Sequence, residues 1–99
     1  MSSHSETLHC LVRAPRDGEA LALALSVLAA GDALLLLQDG VRAAFLDDLA
    51  LPDGVEGCVL ISDVLRRGLD PRHIRGFVAI DESGFVALAA RMRRQVCWA

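Results

Sequence analysis

Three thiols, three imidazoles and the Gln38-Asp39-Gly40 turn are the groups in this 99-residue sequence that could do chemistry. Cys10, Cys58 and Cys97 stand 48 and 39 residues apart, with no Cys-x-x-Cys and no His at finger spacing, which argues against a zinc site. Cys10 and Cys58 fall within apolar runs that read as buried strands, where a cysteine behaves as a small hydrophobe. A reactive thiol needs exposure and a positive neighbour, and only Cys97, close to Arg93 and Arg94, has both in prospect. Two readings of it stay open: a reactive terminal thiol, or an idle surface thiol. His4, His9 and His73 have no nucleophile and carboxylate at recognisable spacing, so no triad is assigned. Gly31 and Gly40 do not make a Gly-x-Gly-x-x-Gly fingerprint. No catalytic, cofactor-binding or metal-ligating residue follows from these patterns.

The stretch that positions the rest is Asp32-Ala33-Leu34-Leu35-Leu36-Leu37-Gln38-Asp39-Gly40. A five-residue apolar run hemmed in by Gly31 and Gly40 is too short for a helix and suits a strand buried on both faces, as in a parallel sheet between helices. Ligands and partners of such sheets gather at the carboxyl ends of the strands. Gln38-Asp39-Gly40 is therefore expected at a functional edge, although Asp-Gly is equally good turn chemistry.

Other elements read in order. Leu8–Val12 is a strand ended by Pro15; Ala20–Ala30 is a helix, with Asp17 as N-cap and Gly31 as C-cap. Val41–Leu49 reads as a short helix, Gly57–Ile61 as a strand, and Asp63–Arg67 as a helix capped by Ser62. Phe77–Ile80 is a strand, and Asp81–Ser83 open a last helix with Phe85, Leu88, Ala89 and Met92 on one face. Arg91, Arg93 and Arg94 are expected to decorate its end, where cations suit the dipole. The alternation β-α-β-α-β-α-β-α means one α/β domain over 1–99 with a parallel sheet, behind a flexible tail of residues 1–7.

Composition adds a second theme. Apolar residues make up 54% even without Gly, against roughly 45–50% with Gly for an average domain. The longest charge-free stretch, Ala20 to Gly31, holds 12 residues, too few for a membrane span. A subunit interface is the natural home for the excess, and a homo-oligomer is the alternative in isolation. The amino-terminus has no signal-peptide pattern, so the cytoplasm is expected. Residues 1–63 carry ten acids and three Arg, net −7, while residues 64–99 carry seven Arg and three acids, net +4. Arg66, Arg67, Arg72, His73 and Arg75 could touch nucleic-acid phosphates. No exposed aromatic is interleaved for base stacking, so an acidic subunit or solvent suits them better than direct nucleic-acid contact. Trp98 is expected to be packed.

Taken together, Leu8-His9-x-Leu11 before Pro15, Gly31-Asp32 with its leucine run, Gln38-Asp39-Gly40-Val41, Asp63 ahead of Arg67-Gly68-Leu69, Ile80-Asp81, Phe85-Val86, Leu88, Gln95 and Trp98 resemble the TusB/DsrH family, closer to its TusB branch. Glu82 stands where members commonly have Tyr, and Asp17–Ala30 lacks the first-helix Cys of some DsrH-type members. The resemblance implies a small flavodoxin-like, three-layer DsrE/DsrF/DsrH-like domain with a parallel sheet of four to five strands. It implies a non-catalytic subunit that assembles with TusC-like and TusD-like sisters into a heterohexamer, with a TusE-like carrier downstream. Such a complex passes persulfide sulfur toward 2-thiouridine at the tRNA wobble position, and the sulfur-carrying cysteine belongs to a sister subunit. A DsrH-like role in sulfur oxidation and a self-sufficient cysteine sulfurtransferase are the alternatives. Gln38, Asp39, Gly40, Phe85 and Trp98 are the expected interface residues, with Cys97 as the possible thiol.

Overall fold

The computed structural model describes residues 6–99, with residue 17 in backbone only. Five strands form one all-parallel sheet: β1 (Thr7–Leu11), β2 (Ala33–Leu36), β3 (Glu56–Leu60), β4 (Val78–Ile80) and β5 (Arg94–Trp98), in the order β4-β3-β2-β1-β5. Right-handed crossovers that step from β1 to β4 in one direction put their cover on one face, and the return from β4 to β5 puts its helix on the other. Accordingly α1 (Ala20–Val27), the 3-10 segment Gln38–Phe45 and α2 (Ile61–Arg66) pack on Leu11, Leu34, Leu36 and Val59. α3 (Glu82–Arg91) alone packs on Leu8, Cys10, Leu35 and Cys58. The three-layer parallel α/β domain is as expected, and α3 places Phe85, Leu88, Ala89 and Met92 toward the sheet as its spacing requires.

Several local expectations are corrected. The alternation continues into a fifth strand: the chain turns extended at Met92, and Arg94 lies in β5 rather than on the end of α3. α1 starts after a 3-10 turn, Pro15–Asp17, with Glu19 in the cap position and no side-chain cap; the side chain of Asp17 lies outside the described residues. It ends at Val27, not Ala30, because Asp32 Oδ2 takes the amide hydrogen of Ala29 (3.1 Å) and so draws the chain out of the helix. Val41–Leu49 is not an α-helix: the 3-10 segment Gln38–Phe45 occupies its first half. Ser62 does not cap α2, which begins at Ile61; its hydroxyl donates to Glu82 Oε2 at 2.5 Å instead. Of the expected tail, residues 1–5 lie outside the described residues, and Thr7 already belongs to β1.

One glycine locks the first crossover. A Cβ on Gly40 would sit 2.0 Å from the Leu11 carbonyl oxygen, so only glycine lets the segment after β2 lie against the end of β1. That same carbonyl accepts from the Leu37 amide (3.1 Å), and Gly40 donates back to Leu37 (3.0 Å).

Candidate functional site

Two polar constellations each hang on a buried carboxylate, Asp32 and Asp63. The first lies where β1, β2 and β5 run together. Asp32, 2% exposed, accepts the Thr7 amide at 2.9 Å on Oδ1, and both the Ala29 amide and His9 Nε2 at 3.1 Å on Oδ2. His9, equally buried, takes the indole Nε1–H of Trp98 at its other nitrogen, 3.1 Å away. An indole can only donate, so Nδ1 is the acceptor and Nε2 carries the hydrogen given to Asp32. The rings stack with centroids 6.1 Å apart at 17°. The carboxylate thus holds Nε2 and an indole donor holds Nδ1, the reverse of the nitrogen assignment in a hydrolytic triad, and among the described residues no hydroxyl or thiol stands at the outer nitrogen. The chain of bonds ties the end of β5 through β1 to the start of β2. Trp98 is thus packed as expected, against its own His9.

The second lies at the carboxyl end of β2. Gln38 has a φ of 52°, sparsely populated for a non-glycine residue, and its amide donates to Asp63 Oδ2 at 2.6 Å. Asp63 is 5% exposed and also accepts Arg66 Nη1 at 2.5 Å on Oδ1. Arg67 bridges outward, its Nε 2.8 Å from Asp39 Oδ1. That hydrogen bond holds the exposed Asp39 carboxyl below the usual range. The edge therefore carries a charged pair, Asp39–Arg67, above a buried anchor.

The expected residues do not converge. Gln38 and Asp39 are exposed at this edge, and Gly40 is buried beneath it. Phe85 is half-buried under α3 on the opposite face, and Trp98 lies in β5. The arginine run is consumed at home: Arg66 pairs with Asp63, Arg72 with Asp70, and Arg75 with Asp47. Cys10 and Cys58 are buried as expected and Cys97 is exposed. Burial, with Cys97 alongside, raises the Cys10 thiol. Burial, with the Glu56 carboxylate 3.7 Å away, pushes Cys58 up to about 11. Asp32 is the residue that sequence reasoning missed. Its signal was an aspartate heading a buried apolar strand, with a histidine in the strand before it.

Among the described residues no group of His, Cys, Asp or Glu is arranged to hold a metal ion. No helix there is long and apolar enough to cross a membrane.

Residues 13–95 match the family described as DsrH like protein. Protein TusB of Escherichia coli O81 (strain ED1a) is 38% identical over 96 residues, which cover 92% of this chain and 99% of that protein. Protein TusB of Shigella flexneri is 36% identical over the same shares. The solution NMR structure of Protein Tm0979 from Thermotoga maritima matches with a TM-score of 0.69 at 24% identity, over 84% of this chain and 91% of that one. At that identity the likeness concerns the fold alone.

Proposed function

Because the chain belongs to the DsrH family, we propose that it is a structural, non-catalytic subunit of a sulfur-relay complex passing persulfide sulfur toward 2-thiouridine at the tRNA wobble position. Its partners are then TusC-like and TusD-like sister subunits in a heterohexamer, with a TusE-like carrier downstream, in the cytoplasm. The observation that carries this reading is the contrast between buried thiols and bare apolar surface. Cys10 and Cys58 are buried and raised in pKa, which suits neither to nucleophilic work near neutral pH. Meanwhile Leu23 and Val27 on α1, and Val78 and Val86 on the α3 side, are each more than half exposed. Faces of this kind are covered in proteins that work as parts.

The experiment is co-expression with the two candidate sister subunits, followed by native mass measurement and a sulfur-transfer assay. A single complex containing all three chains is the expected result, with Cys97→Ser transferring sulfur as well as wild type. A chain that purifies away from both sisters as a stable monomer overturns the assignment, and so does a complex silenced by Cys97→Ser.

A further inference from the structure

The strand register sets all three cysteines in one transverse row on the face beneath α3. From β5 to β4 the row reads Cys97, Cys10, Leu35, Cys58, Val78. Cys97 and Cys10 are immediate neighbours, whereas Leu35 stands between Cys10 and Cys58. Adjacent strands lie about 4.8 Å apart, inside the roughly 4.4–6.8 Å between Cα atoms that a disulfide spans. Side chains in register leave the sheet on the same side. The two thiols differ in access, since Cys10 is buried and Cys97 exposed. Gln95 lies two residues before Cys97 on the same face and donates its Nε2–H to Cys10 Sγ at 3.8 Å.

We propose that Cys97 and Cys10 form a dithiol site for low-molecular-weight disulfides, with Cys97 reacting first and Cys10 resolving. In the first step the Cys97 thiolate attacks one sulfur of the disulfide RSSR; the S–S bond of the reagent breaks, Cys97–S–SR forms and RS⁻ leaves. In the second step the Cys10 thiolate attacks Cys97 Sγ, the Cys10–Cys97 bond forms and the second RS⁻ leaves. The two thiol protons pass to the departing thiolates, the reagent is reduced by two electrons and the protein is oxidised by two.

The structure shapes the kinetics. Burial and the neighbouring Cys97 both raise the Cys10 thiol, while the Gln95 hydrogen bond opposes them. Capping Cys97 removes its own contribution while the larger one, burial, stays, so Cys10 resolves slowly near neutral pH. Resolution quickens as pH rises, because the thiolate is the attacking form. Registered Cβ atoms start about one strand spacing apart, wider than the roughly 3.5–4.5 Å of a relaxed bridge. β5 is an edge strand paired only with β1, so its end supplies the shift. A bridge closed this way stays easily reducible.

The inference does not depend on the sulfur-relay reading, since a chain that joined no complex would still close the bond. The test exposes the full-length folded chain to oxidised glutathione at mildly alkaline pH and follows intact mass and peptide maps. A glutathione adduct on Cys97 should appear first. It should then give way to a Cys10–Cys97 linked peptide, with Cys58 still a free thiol as the sign that the chain stayed folded. Cys10→Ala should hold the adduct on Cys97 without resolution, and Cys97→Ser should take up none. An adduct that persists on wild-type Cys97, a Cys97–Cys97 bond between chains, or a bridge to Cys58 would overturn the proposal, and the wild-type map alone decides it.

Discussion

On one face of the sheet, α1, α2 and the segment Gln38–Phe45 lie side by side over Leu11, Leu34, Leu36 and Val59; on the other, α3 alone lies over Leu8, Leu35 and Cys58. The first face is also stitched by polar bonds: Trp98 to His9 to Asp32 at one side, and Gln38 to Asp63 to Arg67 at the other. The second ties its helix end to the sheet through Arg91 to Glu56 at 2.6 Å, and leaves Val78 and Cys97 open at its margins. Topology causes the difference, because three crossovers step one way and one returns. The well-covered face does the work of cohesion, the thinly covered face is where the thiols collect, and bare apolar residues stand on both, Leu23, Val27 and Leu65 on the first and Val78 and Val86 on the second.

The sharpest blow to that contrast is Gly40→Ala. The added methyl meets the Leu11 backbone, which cannot swing away as a side-chain tip would. The variant should lose about 3 kcal/mol or more in urea unfolding. A wild-type midpoint would mean that the first face is not locked by this approach.

On the second face the test is pH. Burial, with the Glu56 carboxylate beside it, pushes the Cys58 thiol from its ordinary 9.0 up to about 11 in the fold. A group with a raised folded pKa stabilises fully below its unfolded value, and that contribution fades as pH climbs from about 9 through about 11. The loss is on the order of 2 kcal/mol. Cys58→Val removes the titrating thiol, so its stability should fall less steeply over the same window. Parallel curves for the two proteins would show that α3 does not seal this part of the sheet.

Trp98→Phe returns to the first face and keeps a ring while deleting the donor to His9. His9 Nδ1 then becomes a buried acceptor without its partner, which costs about 1–2 kcal/mol. The indole of the wild-type chain should already fluoresce toward the blue when the protein is alone, because its packing partner is internal. A solvent-exposed spectrum would separate β5 from the cohesive set.

These contrasts show what was readable in the residues. The leucine run, the alternation of elements and the inward face of α3 are patterns of burial, and burial is written directly in apolar spacing. β5 escaped because an edge strand needs no apolar run: Arg94 and Gln95 look like the tail of a helix until Val96, Cys97 and Trp98 are given a neighbour. The end of α1 escaped because a residue outside the helix decides it, the Asp32 carboxylate claiming an amide that helical periodicity assigned to the next turn. Asp39 was legible as an edge residue. Its pairing with Arg67, 28 positions away, was not, since nothing local ties a β2 end to an α2 end.

That pairing gives the smallest expected effect and the most informative one. Asp39 is exposed and its bond to Arg67 lies open to water and salt, where such pairs contribute little to folding. Its carboxyl is held below the usual range, so whatever it contributes is present at neutral pH and is lost only as pH falls through the lowered value. Asp39→Asn should therefore leave the urea midpoint unchanged at pH 7. Arg67 keeps its contact with the Asp63 carbonyl, so the edge holds its shape while losing one charge. If co-purification with the proposed sister subunits weakens while stability stays put, the edge faces a partner, and the contrast becomes one between covered face, open face and contact rim. If assembly is untouched as well, Asp39-Gly40 is a turn and the contact falls to the bare surfaces of α1 and α3.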